Sequence, residues 1–179
     1  MNARKVLPYL LSAVAFVTLM ASFTFVDKTE ETPAFKDDFR VTWDNMKNYT
    51  MQIAEAMPES KYSFKPTEEV RDFGAQLKHI SFTIYYMPGA LIEGKELPFD
   101  PNYTENAALT GGSKEEIISL LKERFGSVDK LVASMNKKKL QETVVLPFFN
   151  NKEVTNEQLL VWIKDHTGHH NSQSIMYLR

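Results

Sequence analysis

The chain has 179 residues, 43% hydrophobic and 25% charged, a composition typical of one folded domain with a single core. Its 21 basic and 23 acidic residues leave a formal charge of −2, and the one tight basic run, Lys137-Lys138-Lys139, reads as a solvated helix end, so no nucleic-acid surface is announced. With no cysteine, the chain has no disulfides, thiolate metal sites or cysteine nucleophiles, which leaves histidine and carboxylate as the available metal ligands.

Arg4 and Lys5 precede Val6 to Val26, a run without charge that ends at Asp27. Residues 1–30 therefore read as an export segment. Ala21 and Ser22 suit a signal-peptide cleavage site, although Leu19 is larger than the residue expected two positions earlier. The run also approaches the roughly 20 residues that cross a bilayer, so the alternative is an uncleaved N-terminal anchor. Both outcomes put Asp27 onward outside the cytoplasmic membrane, in the periplasm or its equivalent. The absence of cysteine after the run excludes lipoprotein attachment.

From Phe35 to Met57, the residues Phe39, Trp43, Met46, Thr50, Ile53 and Met57 recur at three- and four-residue intervals and predict a helix stopped by Pro58. An irregular stretch follows over Glu59–Thr67. A second helix has the stripe Phe73, Leu77, Ile80, Ile84, Met87 and Leu91, kinked or ended at Pro88-Gly89. Beyond a loop containing Pro98, Pro101 and Gly111-Gly112, Ser113-Lys114-Glu115-Glu116 has the spacing of a capping box and opens a third helix, with Ile117, Leu121, Phe125, Val128, Val132 and Met135 inward. Glu142–Phe149 is β-branched and apolar enough for a short strand or hairpin, and Thr155-Asn156-Glu157-Gln158 opens the fourth helix. These elements predict an all-α fold, an antiparallel four-helix bundle with one extended loop or hairpin between helices 3 and 4.

The four histidines occupy two places: His79 in the second helix, and His166, His169 and His170 in the fourth. At 100° per residue, Leu159, Ile163, His166, His170, Gln173 and Tyr177 share an arc of about 80°, while His169 lies about 80° from its centre and Asp165 farther round. His166 and His170 should therefore point into the bundle, about 6 Å apart on one face, and a divalent ion would satisfy both imidazoles at once. His79 sits about 120° from the apolar stripe of its helix, on a flank shared with Gln76, Thr83 and Tyr86, and periodicity leaves open whether it faces a neighbouring helix or solvent. Asp165 and Gln173 are candidates for a base or for orienting an imidazole. Tyr85 and Tyr86 are candidates either for pocket lining or for bundle packing.

Pro58-Glu59-Ser60-Lys61-Tyr62-Ser63-Phe64-Lys65-Pro66-Thr67, then Phe73-Gly74 and Gln76-Leu77-Lys78-His79-Ile80, then His166-Thr167-Gly168-His169-His170 with Gln173 to Arg179, together resemble the DinB-like superfamily over residues 33–179. The resemblance implies a four-helix bundle with a divalent-metal site made by one histidine of the second helix and an H-x-x-x-H pair of the fourth. Carried onto this chain, these are His79, His166 and His170. Many members have arginine and glycine after the last histidine, where this chain has Asn171 and Ser172, positions expected at the pocket rim. Relatives include thiol-dependent S-transferases and isomerases.

Three imidazoles leave coordination positions open, as catalytic sites do, and zinc, nickel, iron or manganese all suit nitrogen ligands. The reading is an exported, metal-dependent hydrolase or thiol-dependent transferase of a small molecule. The alternative is a non-catalytic, metal-stabilised helical binding domain. Nothing calls for nucleic acid, membrane contact is confined to the possible N-terminal anchor, and the bundle faces would permit a homodimer.

Overall fold

The structure, a computed structural model, describes residues 34–96, 112–147 and 149–179. The export segment expected at residues 1–30 and most of the loop with Pro98 and Pro101 lie outside the described residues. Helix α1 is Ala34–Ala56, α2 Phe73–Met87, α3 Lys114–Ser134, α4 the short Lys137–Gln141, and α5 Asn156–Met176. Strands β1, Thr143–Leu146, and β2, Lys152–Thr155, form a hairpin between α4 and α5. Among the described residues no helix is long and apolar enough to cross a membrane.

The helices begin where the sequence chemistry places them. Ser113 accepts from the backbone N–H of Glu116, whose side chain returns the bond to the Ser113 N–H, and Thr155 and Gln158 repeat the arrangement at α5. Each box satisfies two of the N–H groups that a helix start leaves without partners. Asp72 caps α2 through the Ala75 N–H at 2.7 Å. Helix α2 runs into a π-type turn at Pro88–Ile92, since proline has no N–H to continue the ladder.

The α3 stripe is buried throughout, and so are Phe73, Leu77, Ile80 and Ile84 of α2 and Phe39, Trp43 and Ile53 of α1. These side chains make one core, with Leu159, Leu160 and Ile163 closing it from α5. The Phe125 ring lies 5.1 Å from the Trp43 ring.

The wiring follows from end-to-end contacts. Lys36, at the start of α1, donates to Ala133 and Met135 carbonyls at the end of α3, while Lys114, at the start of α3, donates to Glu55 and Met57 at the end of α1. The two helices are antiparallel. Gln76 near the start of α2 meets Gln173 near the end of α5, so this pair is antiparallel as well. Helices α2 and α3 instead run in parallel: Gly74 lies against Ile117, and the Arg124 guanidinium stacks 3.6 Å from the Tyr85 ring centre. Parallel neighbours need a connection long enough to return the chain along the bundle. Residues 93–113 join the two helices, and 97–111 of them lie outside the described residues. Helix α2 is therefore flanked by α3 on one side and α5 on the other.

The hairpin is the extended element expected at 142–149, with a partner strand further on. Thr143 pairs with Thr155 and Leu146 with Lys152. Asn150 and Asn151 make the turn at φ of 52° and 55°, a left-handed conformation that asparagine tolerates better than most residues. Lys137 and Lys138 are exposed and Lys139 pairs with Glu142 at 2.8 Å, the solvated reading of the basic run.

Candidate metal centre

Helix α2 is buried on more than its apolar stripe, because it packs against both α3 and α5. Gln76, His79, Ser81 and Thr83 are all nearly inaccessible. The flank that periodicity left open is thus the face toward α5, and His79 lies in it. On α5, His170 is buried, His166 half-buried and His169 exposed, as the 100° rule requires.

The three inward imidazoles converge. His79, His166 and His170 each offer one ring nitrogen, and these atoms lie within 4.8 Å of one another. The rings of His79 and His170 are 4.3 Å apart, those of His166 and His170 4.4 Å, and those of His79 and His166 5.2 Å. Helix α5 comes close to α1 at the same level: a Cβ on Gly168 would stand 3.0 Å from Met46 Cε.

A chain of polar contacts fixes the orientation of His170. Arg71 can only donate, so its Nη1, 3.5 Å from the Gln76 oxygen, turns the Gln76 amide nitrogen toward Gln173. Gln76 Nε2 then donates to Gln173 Oε1, in a short contact. With that oxygen serving as acceptor, His170 Nδ1, 2.8 Å away, must carry the proton. The lone pair of His170 is left on Nε2, facing His166 Nε2 at 3.2 Å. The other nitrogen of His166, Nδ1, is buried without a partner.

This donor set fits a divalent ion. Two imidazole nitrogens at ~2.05 Å from a tetrahedral centre stand about 3.3 Å apart, close to the separation between His166 and His170. All three histidines are biased toward the neutral form a ligand needs. Burial, then the charges of His170 and Arg71, push His79 down to about 2, and burial likewise takes His166 and His170 to about 4.

Two clefts flank the cluster. One, of about 580 Å³, has Arg71, Gln76, Gln173 and Tyr177 in its wall and meets the cluster through the two glutamines. The other, of about 380 Å³, is walled by Leu146, Phe149, Val154 and Trp162, and the Trp162 ring lies 4.9 Å from that of His166. A cavity of similar size, about 540 Å³, lies between the start of α1 and the end of α3, walled by Phe39, Trp43 and Val132.

Other expectations divide. Gln173 orients His170, as anticipated. Asp165 is exposed and ion-paired with Lys164 at 2.8 Å, so it does not reach the cluster. Tyr85 packs on Arg124 and Tyr86 stacks on Phe82 with ring centres 5.0 Å apart, the packing alternative for both. Asn171 is a core residue and not a rim one: it is fully buried and donates to Thr50 Oγ1 at 2.9 Å. Arg71 and Trp162 were not anticipated. Trp162, four residues before His166, had helical spacing as its signal, and no spacing pointed to Arg71.

A four-helix bundle carrying three inward histidines on two antiparallel helices defines a class of candidate metalloproteins. The DinB superfamily model matches residues 42–174, which include all three histidines, and the chain belongs to that superfamily. It is 23% identical over 133 residues to the uncharacterised protein YjoA of Bacillus subtilis, covering 74% of this chain and 82% of YjoA. The crystal structure of YjoA superposes with a TM-score of 0.61 at 19% identity, over 79% of this chain and 90% of that one. YfiT from Bacillus subtilis, described as a probable metal-dependent hydrolase with an unusual four-helix bundle topology, gives 0.64 at 16% identity over 79% and 85%. A mycothiol-dependent maleylpyruvate isomerase gives 0.62 at 11% identity over 76% of this chain and 59% of its own.

Proposed function

We propose that this protein is a metal-dependent enzyme acting on a small molecule, a hydrolase or a thiol-dependent transferase, with a divalent transition metal held by His79, His166 and His170. The observation that carries the reading is the convergence of three neutral imidazoles, with the tautomer of His170 set by a neighbour. His170 Nε2 is freed for an ion by the Nδ1 bond to Gln173, and the paired Nε2 atoms have the spacing of shared ligands. When bound, the ion would supply Lewis acidity for hydrolysis or hold a thiol as its anion. Gln76 and Gln173 keep the ligands aligned, and Trp162 covers one edge of His166.

Among the described residues no carboxylate joins the three histidines, which supports an open site over a closed structural one. The likeness to YfiT favours hydrolysis and the likeness to the mycothiol-dependent isomerase favours thiol chemistry. Residues 1–30 are read as the export segment, on the strength of the uncharged run from Val6 to Val26.

The test is elemental analysis of the full-length protein, purified without chelator or histidine tag, beside His79→Ala and His170→Ala. One equivalent of a transition metal in the parent and none in either variant is expected. No metal after loading with zinc, nickel and manganese would remove the proposed chemistry. Loss of folding together with the metal would favour the non-catalytic, metal-stabilised domain.

A further inference from the structure

Arg71 stands out because, among the described residues, its charge has no acidic partner. Among the described residues no ion pair involves it. Its side chain is half-buried, and Nε is buried without an acceptor. A guanidinium half out of water with an orphan N–H is an expensive arrangement unless something else completes it. Its backbone is held in place, with the Arg71 carbonyl accepting from the Tyr177 hydroxyl at 2.7 Å. Nη1 is partly taken up by its long contact with Gln76, which does not neutralise the charge.

The Arg71 side chain lines the polar cleft of about 580 Å³ that reaches the histidines through Gln76 and Gln173. The remaining wall is largely apolar, with Val70, Met176 and the Tyr177 ring. Glu69, the acidic side chain of the cleft, is fully exposed and bonded to Thr67 on its own loop, so it is not neutralising the guanidinium. The positive charge is also felt at the cluster: after burial, Arg71 is among the causes that lower all three histidines.

We infer that the cleft binds a small monocarboxylate with an apolar body, the carboxylate seated on the Arg71 guanidinium and the chain lying on Val70, Met176 and Tyr177. A carboxylate matches the planar fork in geometry and the single positive charge in magnitude. A phosphate dianion would bring excess negative charge beside Glu69 with only one cation to meet it. The inference rests on the reading of the histidine cluster as the reactive centre, for it assigns the substrate class of that same site.

The probe is hexanoate, with hexanamide as its neutral match and inorganic phosphate as the competing oxyanion, titrated into metal-free full-length protein and followed by NMR of the Arg71 Nε–H and the Gln76 and Gln173 side-chain amides. Hexanoate should shift all three signals and bind at least tenfold more tightly than hexanamide. Arg71→Gln should bring hexanoate to the level of hexanamide, and Arg71→Lys should restore part of the difference. Arg71→Gln should keep the parent's far-UV circular dichroism and urea midpoint, so that lost binding is not lost folding. Equal binding of acid and amide, hexanoate affinity unchanged in Arg71→Gln, tighter binding of phosphate, or no shift at any soluble concentration would each overturn the assignment. Because the ligand titration is metal-free, a protein that binds hexanoate through Arg71 but no metal would sink the proposed metal chemistry and leave the cleft standing.

Discussion

Helix α3 and the second half of α5 are both buried along one face, but with opposite materials. The α3 face is Ile117, Leu121, Phe125, Val128 and Val132, and no polar side chain interrupts it. The α5 face starts the same way with Leu159, Leu160 and Ile163 and then changes to Thr167, His170, Asn171 and Ser174. The apolar helix holds the bundle together through burial, which stabilises by about 25 cal/mol per Å². The polar half-helix adds little of that, because each buried polar group only recovers the bonds it lost to water. Thr167 and Ser174 return their hydroxyls to carbonyls one turn back, and Asn171 bonds Thr50 on α1. Stability and chemistry thus occupy different parts of one fold.

The contrast breaks first, if it breaks, at Phe125. Truncating this ring, packed against Trp43, should cost about 3–5 kcal/mol in urea unfolding, as large-to-small changes in tight cores do. Metal content per folded molecule should not change. A loss below about 1 kcal/mol would mean that α3 is not the structural half.

Acid should act on the other half. The unfolded chain titrates its histidines near 6.5, whereas burial holds His166 and His170 near 4 and His79 near 2 in the fold. As pH falls, the unfolded chain takes up protons first, so the stability these groups contribute is complete above about 6.5. It drains away through that value until each folded pKa is passed. For metal-free protein the decline should be on the order of 2 kcal/mol per histidine by pH 5. Urea unfolding at pH 7 and pH 5 checks this, and His170→Gln should flatten the profile. Parallel profiles for parent and variant would show that the buried histidines are not the acid-sensitive groups.

Much of the structural half was legible in the sequence, and less of the chemical half. Apolar stripes and capping boxes depend on local spacing, so α1, α3 and the starts of α3 and α5 could be read from residue types alone. His166 and His170 were legible because they continue a stripe begun by Leu159 and Ile163. His79 was not legible from spacing, since α2 buries two faces and periodicity reports only the greasier one. Only the family resemblance pointed to it. Arg71 and Gln76 reach the site through the ring order of the helices, and that order depends on contacts between distant segments. Asn171 was expected at the rim because it stands where many family members carry arginine; a single helical step separates the buried Asn171 from the exposed Ser172.

Gln173 sharpens the comparison inside the chemical half. Replacing it with leucine keeps the volume and removes the acceptor of the His170 Nδ1 proton, which frees the imidazole to adopt the other tautomer. Metal affinity should fall by roughly 10–100-fold in competition with a chromophoric chelator, the usual effect of losing an outer partner of a ligand histidine. Gln173→Glu retains an acceptor at the same place and should restore affinity. If leucine and glutamate weaken the metal alike, the orienting role fails.

The smallest effect is expected at the histidine that looks most like a ligand in sequence. His169 lies beside His170, with ring centres 5.0 Å apart, yet it is exposed and its Nε2 receives a bond from Gln173 Nε2 at 3.1 Å. That bond uses the amide nitrogen of Gln173, whereas the orientation of His170 depends on the amide oxygen. In His169→Ala water can take over the nitrogen without disturbing the oxygen, so the loss should be under about 1 kcal/mol, or less than about fivefold in metal affinity. The same chelator competition on His170→Ala should show no measurable site. Equal losses in the two variants would mean that α5 presents a different face to the ion, and the division between a polar inner face and a solvated outer one would have to be redrawn.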